Sequence, residues 1–231
     1  MISPLQIDLR PNCLVARFPG LFTCLSWAPW NGGEASASVV ANLQVGLNGS
    51  SAAASPAEDW EVLFQAHSLI PEETIGLMTA ATVSAFANRF RFASGAWVHA
   101  LATVGLSNAR SVLDHADVEL GQQTPSSGTV NVVVATNALP TIAGRIEAIH
   151  IASSAKTAAF RDSGVTSRKS NLLADLTGTD CLVVGASGKI EEDQCGLHTI
   201  LGEMIARTVY TSVSEGIARC RKAEVLRSYN N

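Results

Sequence analysis

Charged side chains are scarce: they make up 16% of the sequence, where a soluble globular chain carries roughly 25%. Lysines and arginines never gather into a run of five, and the net charge is −4. A nucleic-acid partner needs a basic stripe to neutralise phosphates, so that class is excluded. Nowhere do 18 apolar residues follow one another, which excludes a helical membrane span. The first ten residues hold Asp8 and Arg10 and lack an apolar core, so no secretory leader is expected. Five cysteines, Cys13, Cys24, Cys181, Cys195 and Cys220, are odd in number and never stand as C-x-x-C. That pattern predicts free thiols in a reducing cytoplasm rather than disulfides or a structural zinc site. No H-E-x-x-H, G-x-S-x-G, P-loop or G-x-G-x-x-G occurs, which excludes the common zincin, serine hydrolase, kinase and dinucleotide families. No metal and no cofactor are expected.

What the sequence does have is small residues and β-branched strands. A length of 231 residues with 47% hydrophobic content suits one domain with a substantial core. Alternation predicts a strand over residues 5–9, a turn at Pro11-Asn12 and a hairpin partner over 14–18. Residues 23–26, 39–45 and 62–66 are further strand candidates, and the small residues 48–56 read as an exposed tether. Pro71-Glu72-Glu73 opens a helix, or residues 74–79 form a short buried strand with helix only over 80–92; periodicity leaves both open. Strands follow over 97–106, 129–135 and 181–185. Two long helices are the clearest local features. Over 140–160, Ile142, Ala143, Ile146, Ile149 and Ala152 form one apolar stripe. Over 199–220, Ile200, Leu201, Met204, Ile205, Thr208, Val209, Val213, Ile217 and Cys220 form another. Strands interleaved with helices predict an α/β fold, a single-domain sandwich over 1–231 with a mixed β-sheet core covered by helices.

Short polar clusters punctuate these elements, and small hydroxyls and amides at strand ends suit a pocket that hydrogen-bonds a polar ligand, though the same residues also build turns. Asp180 stands between a Gly-Thr turn and the apolar Cys181-Leu182-Val183-Val184, at the mouth of a buried strand where it can act as a base or an orienter, or close an Asx turn. His198 precedes the second long helix and Glu203 lies one turn inside it. Five residues set them roughly 140° apart if both are helical, so they converge only if His198 lies before the helix. Lys156, late in the first long helix, can hold an oxyanion, pair with Asp180, or simply favour a helix C-terminus. Asp114-His115-Ala116-Asp117 reads as a metal-capable loop or a polar turn. Trp27 and Trp30 flank Asn31-Gly32-Gly33 and could stack on a large planar ligand or belong to the core.

The order of the clusters says more than any one of them. Asn31-Gly32-Gly33, Gly76-Leu77-Met78-Thr79-Ala80-Ala81, Ala102-Thr103-Val104-Gly105-Leu106-Ser107-Asn108-Ala109 and Gly128-Thr129-Val130-Asn131-Val132-Val133-Val134 come first. Ala155-Lys156-Thr157, Thr177-Gly178-Thr179-Asp180-Cys181 and His198-Thr199-Ile200-Leu201-Gly202-Glu203 come after them. In this order the chain resembles the adenosylcobinamide amidohydrolase family, from about Ser26 to Val209. The resemblance implies hydrolysis of the amide joining the aminopropanol arm to the corrin ring of adenosylcobinamide, giving adenosylcobyric acid for cobalamin salvage. The corrinoid is then substrate, not cofactor. Matching positions imply a substrate-binding set of Asn31, Gly32, Gly33, Thr79, Thr103, Asn108, Asn131 and Thr179, beside Asp180, His198, Lys156 and Glu203. For these four we expect Asp180 and His198 to share the proton transfers, Lys156 to hold the oxyanion and Glu203 to fix His198. Thr179 as a covalent nucleophile is the second route. Trp27-Ala28-Pro29-Trp30 and Ala109-Arg110-Ser111-Val112-Leu113 depart from the family pattern and bear on substrate identity. A corrinoid- or tetrapyrrole-binding protein without catalysis, or a related amidohydrolase acting on a different amide, is the alternative. Low charge and two apolar helices are compatible with a homodimer.

Overall fold

A computed structural model describes residues 4–46, 56–120 and 128–229. Strand β1 (Gln6–Arg10) turns at Pro11-Asn12 into β2 (Cys13–Ser26), with Asn12 at φ +54°, a conformation asparagine tolerates. The expected strands at 14–18 and 23–26 are two halves of this one element. Its register with β3 (Gly33–Gln44) slips between Arg17 and Phe22, and there the strand changes layer. Its first half pairs with β1, and its second half with β10 (Cys181–Glu192).

Residues 62–66 are not a strand. They lie in helix α1 (Pro56–His67), where Trp60, Leu63 and Phe64 recur at helical spacing and bury against Cys13, Val15, Val39 and Ala41. Val62 points away, 65% exposed. Apart from Pro56, the expected tether lies outside the described residues. A single 3₁₀ turn at Pro71–Glu73 leads into β4 (Thr74–Thr79), parallel to β3. No helix fills 80–92: a 3₁₀ turn over Val83–Ala85 precedes β5 (Ala87–Ala93). Ser94 and Gly95, at φ +52° and +80°, are the two left-handed residues of a tight hairpin turn into β6 (Ala96–Val104). That turn signal outweighs the apparent helical spacing. Short strands β7 (Ala109–Arg110) and β9 (Leu176–Thr177) pair with each other.

Strand β8 (Val130–Pro140) runs antiparallel to β6 and parallel to β10, and α2 (Ile142–Asp162) makes the crossover between the two parallel strands. Thr141 caps α2 by accepting from the Gly144 N–H. The long α3 (Ile200–Tyr229) comes after β10. The result is one mixed eight-stranded sheet, order β4-β3-β2-β10-β8-β6-β5 with β1 on β2, bent into two facing layers. Period-2 alternation makes the sandwich. Val130, Val132 and Val134 face α2 and α3, while Val133 and Ala135 face inward against Leu14, Ala16, Val40, Ile75 and Leu77 of the other layer. The α/β sandwich with a mixed, helix-covered sheet is as expected. The apolar stripe of α2 is only half as expected: Ala152 is buried and Ile149 packs on the core, but Ile142 and Ile146 are 52% and 58% exposed, and the buried face continues through Ala148, Ile151, Ala155, Ala159 and Phe160. The four alanines on this face let α2 lie close to the sheet and α3.

Candidate active site

At one end of the sandwich the chain delivers several polar segments to the same place. These are the end of β4, the loop after β6, the approach to β8, the turn before β10, and the side of α2. Glycines make the close approach feasible. A Cβ on Gly128, at φ +99°, would lie 2.2 Å from Ser107 Oγ and 2.7 Å from the Asn108 nitrogen. A Cβ on Gly178 would lie 2.6 Å from Asn108 Nδ2. Thr179 Oγ1 donates to the Gly128 carbonyl, and Thr129 Oγ1 donates to the Thr179 carbonyl.

Asp180 is the carboxylate on which these segments close. Its Oδ1 accepts from the Val130 N–H (3.1 Å), the Thr177 N–H (3.1 Å) and the Thr177 hydroxyl. Its Oδ2 pairs with Lys156 Nζ from α2, and the two side chains are only 9% and 6% exposed. The Trp27 indole N–H donates to the Asp180 carbonyl at 2.7 Å. Cys181 next door is no nucleophile: burial pushes its thiol up to about 12.

Beneath the turn lies a buried amide and hydroxyl cluster between the layers. Asn42 Nδ2 donates to Thr103 Oγ1 (2.8 Å), and Asn131 Nδ2 donates to Asn42 Oδ1 and to the Met78 carbonyl (both 2.9 Å). Asn131 Oδ1 has no donor among the described residues. Thr79 Oγ1 accepts from the Ala81 N–H. Above the turn, Asn108, Gly178 and Thr179 line a surface depression of about 450 Å³ shared with Arg110, Ser111 and Asp114.

Thr79, Thr103, Asn108, Asn131, Lys156, Thr179 and Asp180 thus gather at one end. His198 and Glu203 do not join them. The exposed His198 lies beyond the far end of β10, with Nε2 on Gln194 Oε1 (3.1 Å) and its ring over Gly196, beside Glu147 of α2. Glu147 and Lys156 are nine residues apart, about 13 Å along a helix. Glu203 is 56% exposed and pairs with Arg207 at 2.8 Å. The expected relay between Asp180 and His198 is therefore not formed, and Glu203 does not fix His198. The twelve residues of β10 stand between Asp180 at its start and the His198 turn beyond its end.

Asn31, at φ +53°, spends its side chain on backbone, donating to the carbonyls of Pro71 (2.8 Å) and Thr74 (2.9 Å). Gly32 lies so close to Ala28 that a Cβ would meet its carbonyl at 2.4 Å, and Gly33 takes φ +89°. This turn shapes the segment that carries Trp27. Trp30 belongs to an aromatic cluster with Trp60 and Phe64. In the 114–117 loop, Asp114 is taken up by the Ser111 N–H and the Ser167 and Ser170 hydroxyls, whose bonds hold its carboxyl down at about 2. Asp117 pairs with Arg110 and Lys169. No cluster of three metal-capable side chains occurs among the described residues. The sequence motifs include Thr177 without giving it a role and do not include Asn42. Asn42 had a signal: it is the polar residue on the inward alternation of an apolar strand, two residues after Val40.

Among solved structures, a Burkholderia sp. β-aminopeptidase superposes with a TM-score of 0.52 at 12% identity, covering 91% of this chain and 80% of that one. The L-aminopeptidase D-Ala-esterase/amidase of Ochrobactrum anthropi, described as a variant of the Ntn-hydrolase fold, gives 0.47 at 10% identity, covering 94% and 82%. An uncharacterized protein of Methanocaldococcus jannaschii is 39% identical over 99 residues, which is 42% of this chain and 39% of that protein's length. The first of these likenesses places the chain in the same α/β fold class. The chain belongs to the adenosylcobinamide amidohydrolase family, whose model matches residues 2–224.

Proposed function

We propose that this protein, acting in the cytoplasm, hydrolyses the amide joining the aminopropanol arm to the corrin ring of adenosylcobinamide, giving adenosylcobyric acid for cobalamin salvage. The observation that carries the reading is the nearly buried Lys156–Asp180 pair, at the end of the sandwich where Thr79, Thr103, Asn108, Asn131 and Thr179 gather, in a chain of this family. Amide hydrolysis needs a donor for the carbonyl oxygen as it becomes an oxyanion, and a group that moves a proton from water to the departing nitrogen. An ammonium has three N–H donors, so Lys156 can keep one on Asp180 and offer another to the oxyanion. Asp180 Oδ1 is filled by Val130 and Thr177, while Oδ2 faces Lys156. Oδ2 is then the atom that accepts the proton as water attacks, and it returns that proton to nitrogen as the C–N bond breaks. Water supplies the new oxygen, and the products are a carboxylic acid and a free amine. Asn108 and Thr179 meet substrate in the depression. Thr79, Thr103 and Asn131 back the reacting end, and Asn31, Gly32 and Gly33 act through the Trp27 segment.

Thr179 supports a second route, because its hydroxyl is on an exposed residue directly before Asp180. There Thr179 Oγ would attack, its proton would leave through Asp180 to the amine, and water would open the resulting ester. Acid quenching during turnover, with intact-mass measurement afterwards, separates the two: an acyl adduct on Thr179 supports the covalent route.

The function is tested by incubating the protein with adenosylcobinamide and with intact cobamides and identifying products by mass. We expect adenosylcobyric acid and free amine from adenosylcobinamide. Unchanged corrinoid with an altered visible spectrum would contradict hydrolysis and leave binding alone.

A further inference from the structure

Tryptophan side chains are normally spent on burial, since each has 150–250 Å² to hide. Three of the four here obey that rule and touch other rings. Trp30 and Trp60 pack with Phe64, and Trp97 packs with Phe22 and Phe90. Trp27 does not: it is 50% exposed and shares no ring contact among the described residues. Nor is it loose. Its indole N–H is bonded to the Asp180 carbonyl at 2.7 Å. The ring is thus held against the turn that bears the site carboxylate. Its neighbours hold it there, since Asn31 anchors the segment to residues 71–74 and Gly32 folds back onto Ala28. A side chain fixed in advance loses no further rotamer freedom when a ligand lies on it.

Resting on the reading of the site given above, we propose that Trp27 is a specificity-determining platform: the substrate's corrin macrocycle lays an apolar part of its ring system on the exposed indole so that the arm's amide falls at Lys156 and Asp180. An indole suits this ligand class because it offers a broad apolar surface without demanding particular hydrogen bonds. The bond to Asp180 gives the platform its register, tying ring position to the position of the reacting carboxylate.

The test compares Trp27→Phe, Trp27→Leu and Trp27→Ala in the full chain. It measures KM and kcat on adenosylcobinamide, the dissociation constant for cobinamide by equilibrium dialysis, and thermal melting. Phenylalanine keeps a flat ring and loses the indole donor, whereas leucine keeps apolar bulk without a flat face. The proposal expects about a tenfold rise in KM and in dissociation constant for Leu and Ala. It expects Phe to stay within about threefold, with the losses on affinity more than on kcat. Should Ala fail to fold, the Phe–Leu pair decides. Unchanged affinity in Leu, or a fall in kcat alone that Phe shares equally with Leu, overturns the proposal and leaves Trp27 as mere support for the Asp180 turn. A wild-type protein that binds cobinamide without cleaving it sinks the hydrolase reading alone, because the affinity series still judges Trp27. A wild-type protein that binds no corrinoid overturns both.

Discussion

Lys156 and Asp180 pair where their side chains are 6% and 9% exposed. Two charges taken out of water support each other, and removing one partner strands the other at a cost of about 3–5 kcal/mol. His198 and Glu203 are a different case, since both are exposed and bonded to neighbours of their own. We expect His198→Ala and Glu203→Ala to hold kcat on adenosylcobinamide within about twofold, as surface changes away from the reacting atoms do; a hundredfold loss in either would return them to the mechanism. Asp180, Thr179 and Asn131 were legible in the sequence because a carboxylate, hydroxyl or amide beside a buried strand has few reasons to be there other than a turn or a site. His198 misled because sequence reasoning stopped the strand after Asp180 at residue 185. In fact β10 runs on to Glu192 and so delivers the His198 turn to the far end. The partners of Asn131 are contributed by β3 and β4, across the layer gap, and nothing local to either strand announces that they meet.

Among the elements, the approach to β8 is the tightly constrained one at the site. Gly128 combines φ +99° with contacts that leave no room for a Cβ. Gly128→Ala is expected to cost about 2 kcal/mol or more and to lower turnover at least tenfold, because the strain moves Ser107, Asn108 and Thr179 together. Denaturant midpoints and initial rates measure the two effects, and a variant unaffected in both would show that the approach is slack. The β5–β6 hairpin carries a pH-dependent feature of its own. Burial pulls His99 down from 6.5 to about 4. Between these values the unfolded chain holds a proton that the folded chain does not. Stability is therefore full above about pH 6.5 and falls as pH drops toward 4, by on the order of 3 kcal/mol. Asp114, held at about 2, has its own window lower still. Urea unfolding across pH 4–7 should show this slope in wild type and flatten in His99→Gln; an equal slope in both would place the proton elsewhere. The helices α2 and α3 and most strands were legible from period. By contrast, α1 and β5 were not, because short apolar runs fit either period until a packing partner or a Ser94-Gly95 turn decides.

At the scale of the whole molecule, bending one sheet into two layers turns scattered motifs into a site. A polar residue inside a sandwich must find partners across the gap, so Asn42, Thr103, the Asn131 amide nitrogen and the Met78 carbonyl bond to one another, with Asn131 Oδ1 left without a donor among the described residues. On the other face of the layer that carries Asn131, the β8–α2–β10 crossover lays α2 on the sheet and brings Lys156 to Asp180 at the start of β10. No helix among the described residues is long and apolar enough to cross a membrane. The central claim, that chemistry runs through the Lys156–Asp180 pair, is tested most directly by turnover of adenosylcobinamide in the double variant Lys156→Met, Asp180→Asn, which removes both charges without stranding either. The account predicts a chain that melts within a few degrees of wild type and turns over at least about 100-fold more slowly. A folded double variant that keeps turnover within tenfold of wild type would contradict it.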